Sequence, residues 1–184
     1  MMGRAGGSLV MAAMLAACTT TIDAPRPKIV ALPNADLEMP VAAASRCPPR
    51  WGCSAHGGIE SHRFVLETAA PAQGRQSLCI ERVGPDPWAL ATLSVDARAL
   101  HGQRVRFSLA VRLEAVPQGA GPWIVVHGPQ GNLLHEQKLA AGTRGWERMS
   151  VDFDVAREAQ SLEVGGTLEG PGRACIDDAR LEIL

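Results

Sequence analysis

The chain of 184 residues has no tyrosine, three phenylalanines and four tryptophans, so any flat aromatic surface must be assembled from very few side chains. The apolar stretch near its start, Leu9 to Leu15, is far shorter than the roughly 20 residues a membrane-spanning helix needs. Lys and Arg are scattered among acidic residues and the net charge is -1, which leaves no electrostatic footprint for nucleic acid. No Gly-x-Ser-x-Gly elbow, His-Glu-x-x-His pair or phosphate loop occurs. The cysteines lack the paired spacing of a zinc site, and helical periodicity is almost missing, with Val155 to Gln160 a turn at most.

What the chain does have is alternation. From Arg104 to Leu113 the apolar residues Val105, Phe107, Leu109, Val111 and Leu113 alternate with Arg104, Arg106, Ser108, Ala110 and Arg112. A period of two puts the two sets on opposite faces of a strand. Met149, Val151, Phe153 and Val155 repeat the pattern against Ser150, Asp152 and Asp154. Shorter strands are expected at His62–Glu67, Ser77–Arg82, Ala89–Val95, Trp123–His127, Leu133–Lys138, Ser161–Leu168 and Arg173–Ile183, with turn signals such as Gly128-Pro129-Gln130-Gly131-Asn132 and Gly170-Pro171-Gly172 between them. Many short strands divided by regular turns predict an all-β, antiparallel β-sandwich or barrel.

At the N-terminus Arg4, the Leu9 to Leu15 stretch and Ala16-Ala17 supply the charged, apolar and small-residue regions of a signal peptide. The ending Leu15-Ala16-Ala17-Cys18 resembles a bacterial lipobox. That resemblance implies a signal peptide over residues 1–17, a lipid (palmitate-type acylation) on Cys18 and a membrane held through this anchor. Thr19 in place of an acidic residue implies the outer membrane of a Gram-negative cell envelope. Residues 18–33, with Pro25, Pro27 and Pro33, read as a tether, and residues 34–184 as one compact domain.

With Cys18 set aside, Cys47, Cys53, Cys79 and Cys175 form an even set in a chain expected to reach an oxidising compartment. Three pairings are open. Pro48-Pro49-Arg50-Trp51-Gly52 can turn Cys47 back onto Cys53, which favours Cys47–Cys53 with Cys79–Cys175.

Several spaced patterns resemble the galactose-binding-like β-jelly-roll modules found among carbohydrate-binding modules. They are Asn34-Ala35-Asp36-Leu37-Glu38, Gly74-Arg75-Gln76-Ser77-Leu78, Gly145-Trp146-Glu147-Arg148 and Ala174-Cys175-Ile176-Asp177-Asp178. The resemblance implies a jelly roll without catalytic activity that binds a glycan or polysaccharide. It also implies a structural calcium ion, with Glu38 and Asp177 as its carboxylate ligands. Leu37 stands where the family has Phe, and no aromatic residue precedes Asp177. Sugar stacking needs exposed flat rings; Phe107, Phe153 and Trp146 are expected in the core, which leaves Trp51, Trp88 and Trp123, all near turns, as ligand-binding candidates. The rival readings are a protein-interaction or structural envelope lipoprotein that does not bind sugar, and an envelope hydrolase drawing on the five histidines. Asp177 and Asp178 are neighbours on a strand and point to opposite faces, so they do not converge as an acid–base pair.

Overall fold

The computed structural model describes residue 3 and residues 27–41 and 47–184. Cys18, the signal segment apart from residue 3, and residues 18–26 of the expected tether lie outside the described residues. The strands are β1 (Lys28–Val30), β2 (Gly52–Ala55), β3 (His62–Glu67), β4 (Ser77–Arg82), β5 (Trp88–Asp96), β6 (Arg104–Gly128), β7 (Gly131–Gln137), β8 (Ala140–Asp154), β9 (Ser161–Glu169) and β10 (Arg173–Ile183). Among the described residues no helix is long and apolar enough to cross a membrane.

All pairings are antiparallel, and β6 belongs to two layers. Its first half lies between β10 and β8, and β10 in turn pairs with β4 and β4 with β3. Its second half lies between β9 and β7, and β9 pairs with β5 and β5 with β2. The two layers face each other across one core, the arrangement of a β-sandwich. Phe107, Leu109 and Val111 enter it from the first half of β6, and Ile124 and Val126 from the second. The alternation in β6 is thereby realised: Val105, Phe107, Leu109, Val111 and Leu113 are buried in the core, and the intervening residues take the outer face, where Ser108 and Ala110 are covered.

The sequence predicts separate strands at Arg104–Leu113 and Trp123–His127, but the chain runs through the intervening segment without leaving the sheet. Register shifts between Leu113 and Ala120 mark the corner. Ala115 at φ 50°, Gly119 at φ 135° and Gly121 at φ 158° bend the strand from one layer to the other. Two short strands were also not expected. β1 lies at the end of the segment read as tether and pairs with Leu181 to Ile183 of β10, and β2 starts at Gly52, at the end of the turn-rich run between Cys47 and Cys53.

Both expected disulfides are present. Cys47–Cys53 spans six positions; Cys79–Cys175 spans 96 and joins residues directly opposite on β4 and β10.

His62 opens β3, is 5% exposed, and neither ring nitrogen has a hydrogen-bond partner among the described residues. Burial, reinforced by the Arg82 charge and only partly offset by Asp86, holds its imidazole below the usual value. A base with a depressed folded pKa favours the fold while it is neutral. This stability is complete above the unfolded pKa and is lost as pH falls through about 6.5 towards the folded value. The melting midpoint is therefore expected to drop between pH 7.5 and pH 5, and the drop should shrink in His62→Leu. An equal drop in both proteins would assign the acid sensitivity elsewhere.

Candidate functional site

A groove of about 230 Å³ lies on the outer face of the layer containing β5, β9, the second half of β6 and β7, lined by Trp88, Leu90, Trp123, His135, Gln137, Thr167 and Glu169. Strand parity puts them together. Ala89, Ala91, Leu93, Leu162, Val164, Leu168 and Ile124 fill the core, so the alternate positions on the same strands face out. Trp88 lies opposite Glu169, Leu90 opposite Thr167, and Trp123 between Gly165 and Gln137. By this register the two tryptophans are offset by four residues along the strands and two strands across, a diagonal of about 16 Å between backbones.

Both indoles are half-buried, and each is held by an imidazole. The His56 ring is 5.7 Å from Trp88 in a tilted contact, and the His135 ring is 5.5 Å from Trp123 edge-on. The His56 backbone N–H also donates to the Trp88 carbonyl (3.1 Å), which ties the end of β2 to the groove. Thr167 is 2% exposed and its hydroxyl donates to the Ala89 carbonyl (3.3 Å), so it forms part of the floor. Gly165 must be glycine, since a Cβ there would overlap the Ala91 carbonyl oxygen.

Trp88 and Trp123, two of the three tryptophans singled out in the sequence, thus share one groove. Trp51 does not. It is 6% exposed in the core, and its indole N–H donates to the Asn34 carbonyl (2.9 Å), so no ring face is left for stacking. Trp146, expected in the core, is instead half-buried on the outer face of the other layer, with the Arg112 guanidinium 5.2 Å from its ring and its N–H donating to Ala70 O. His135, Gln137, Thr167 and Glu169 were not singled out from the sequence. The signal was present in β9, where Glu163, Thr167 and Glu169 alternate with Leu162, Val164 and Leu168.

The two outer faces differ in charge. Among the described residues at outward positions of β2, β5, β9, the second half of β6 and β7 there is no Lys or Arg, whereas three acids are present: Asp96, bound by Arg98 just past β5, Glu163, 3.8 Å from His127 Nε2, and Glu169 in the groove. The opposite layer displays arginines, each matched to an acid: Arg106 with Asp152 (2.6 Å), Arg112 and Arg173 with Glu67 (2.8 Å each), Arg148 with Asp178. Glu67 also approaches Cys79 and Cys175, but these sulfurs are joined to each other and are not thiolate ligands.

Glu38 and Asp177, the carboxylates implied as calcium ligands, face N–H donors. Glu38 accepts from the backbone N–H of Arg75 (2.6 Å) and Gln76 (3.2 Å) and from Arg75 Nε (2.8 Å). Asp177, 1% exposed, accepts from the backbone N–H of Gln73 (2.9 Å) and Asp178 (2.7 Å). Burial pushes the Asp177 carboxyl up while these N–H groups pull it down, and the Arg75 contacts hold the Glu38 carboxyl below its usual range. All four oxygens thus receive positive hydrogens, whereas calcium requires six to eight oxygen ligands. The donor set does not fit the ion. The N–H bonds perform the tie it would have made, clasping the β3–β4 loop between the opening segment and β10. Gly74, at φ 68°, permits the close approach, since a Cβ there would overlap the Glu38 carboxylate. The melting midpoint is expected to be the same in millimolar calcium and in chelator, and to fall in Glu38→Gln; a calcium-dependent rise would restore the ion to this position.

No family model and no curated protein matches the chain. Solved structures do. The C-terminal family 22 carbohydrate binding module of Clostridium thermocellum Xyn10B superposes with a TM-score of 0.54 at 14% identity, over 73% of this chain and 86% of the other. TmCBM61, solved in complex with β-1,4-galactotriose, gives 0.55 at 16% identity over 83% and 97%. A CBM4 structure gives 0.56 at 12% over 84% and 100%. The domain therefore has the β-sandwich fold of carbohydrate-binding modules, the jelly roll expected from its sequence. At this identity the likeness establishes fold alone.

Proposed function

We propose that this chain is a non-catalytic, lipid-anchored module of the cell envelope that binds a glycan along the groove of Trp88 and Trp123. The observation that carries this reading is the pairing of those indoles on one outward face, each held by an imidazole, over a floor of Leu90 and Thr167. Indole faces and edges pack on the apolar sides of pyranose rings, while Gln137, His135 and Glu169 offer polar groups for the hydroxyls. A diagonal of about 16 Å between the tryptophan backbones accommodates several sugar rings in a line. The carbohydrate-binding modules of families 22, 61 and 4 that share this sandwich support the reading. Glycan binding does not require the histidines to act as bases. Two of them bond elsewhere, His101 to the Ala159 carbonyl (2.7 Å) and His127 to Asn132 (2.9 Å).

The test is affinity electrophoresis and calorimetry of residues 27–184 against a panel of xylan, β-1,4-galactan, β-glucan, mannan, chitin and peptidoglycan fragments. Retardation by at least one polysaccharide, lost in Trp123→Ala, is expected. Failure across the panel, together with a reproducible envelope protein partner, would replace this reading with the protein-interaction one. The anchor is tested separately: palmitate should label the full chain and not Cys18→Ala.

A further inference from the structure

Resting on that reading, we infer that the groove takes uncharged glycans and discriminates against acidic ones such as polyuronates. Recognition of a sugar carboxylate calls for a cation, most effectively a guanidinium that can offer two parallel N–H groups. The chain is rich in arginine, yet none occupies an outward position on the groove-bearing strands among the described residues. The arginines of the opposite layer are already engaged by Glu67, Asp152 and Asp178. In their place the groove holds the Glu169 carboxylate, directly across the strand pair from Trp88, and Glu163 follows on the same face of β9. A uronate ring stacked on Trp88 would bring a second negative charge to Glu169, and among the described residues the groove lining holds no Lys or Arg to offset either. Like charges juxtaposed in a binding site oppose association. A hydroxymethyl group at the same ring position carries no such penalty and can donate a hydrogen bond to Glu169.

Matched ligands test this. The described domain is titrated calorimetrically with cellohexaose and β-1,4-galactohexaose, and with each hexaose after oxidation of its C6 hydroxymethyl groups to carboxylates, at pH 8 and low ionic strength. The expected result is that a neutral hexaose binds at least about tenfold more tightly than its oxidised counterpart. The ratio should narrow in Glu169→Gln and in about 0.5 M salt, which screens exposed charges. Equal or tighter binding of the oxidised form, or a ratio untouched by Glu169→Gln, overturns the inference and leaves glycan binding intact. Binding of neither form of either hexaose, in a protein that melts normally, overturns this inference, and the glycan reading falls with it only where the whole polysaccharide panel fails as well.

Discussion

Replacing Trp123 with alanine is expected to weaken binding of a neutral hexaose at least about thirtyfold, equivalent to about 2 kcal/mol for loss of a central aromatic contact. The melting midpoint should move little, because Trp123 faces outward and its removal opens no cavity in the core. Trp88→Ala should act in the same direction. Trp51→Ala is expected to do the reverse: it removes a side chain that is 6% exposed in the core, at a cost of about 3–5 kcal/mol. It also strips the Asn34 carbonyl of its indole partner. Calorimetry paired with thermal melting separates the two kinds of tryptophan. A Trp123→Ala protein that melts normally and binds as before would remove the groove from consideration.

Loss of the Cys79–Cys175 disulfide should have the largest effect on stability. The bridge closes a loop of 96 residues, for which the chain-entropy model gives about 4–5 kcal/mol. For a domain of this size that corresponds to a fall in melting midpoint of about 10–15 °C in the Cys79→Ala/Cys175→Ala double variant. Breaking Cys47–Cys53 should cost about half as much, since its loop is short. It should also loosen the end of β2, where His56 meets Trp88, so glycan affinity should respond to the short bridge more than to the long one. Melting curves and titrations of the two double variants provide the comparison.

The strands were legible wherever alternation met a core. Arg104–Leu113 forms as read, because Val105, Phe107, Leu109, Val111 and Leu113 reach the core at every second residue; His62–Glu67, Ser77–Arg82 and Arg173–Ile183 form between the turns that bound them, although Ser77 to Ile80 and Ala174 to Asp177 are buried in unbroken runs. The corner of β6 was not legible: Pro117, Gly119, Gly121 and Pro122 are breakers in an isolated strand and become bending points when a strand passes between layers. Trp51 misled for a related reason. Its neighbours Pro48, Pro49 and Gly52 signal an exposed turn, yet Asn34, 17 residues away, accepts its indole N–H and draws it inside. The groove was half legible. Trp88 and Trp123 could be named from their residue type, but Gln137, Thr167 and Glu169 join them only through a register shared by four strands. The N–H donors at Glu38 were not legible either, because they depend on approach from afar, the Arg75 side chain and backbone meeting Glu38 across 37 positions.

One placement in the sheet governs the order of folding. β10 is an interior strand, flanked by β6 on one side and β4 on the other. A chain emerging N-terminus first therefore presents β4 and β6 as two unfilled edges until β10 arrives. The contacts that fill them have a large sequence separation, which makes closure slow. Oxidation of Cys79 must wait as well, since its native partner lies on that same strand. Premature pairing with Cys47 or Cys53 is the hazard during this interval. A pulse-chase with thiol trapping should find Cys47–Cys53 formed first and the long bridge formed together with protease resistance.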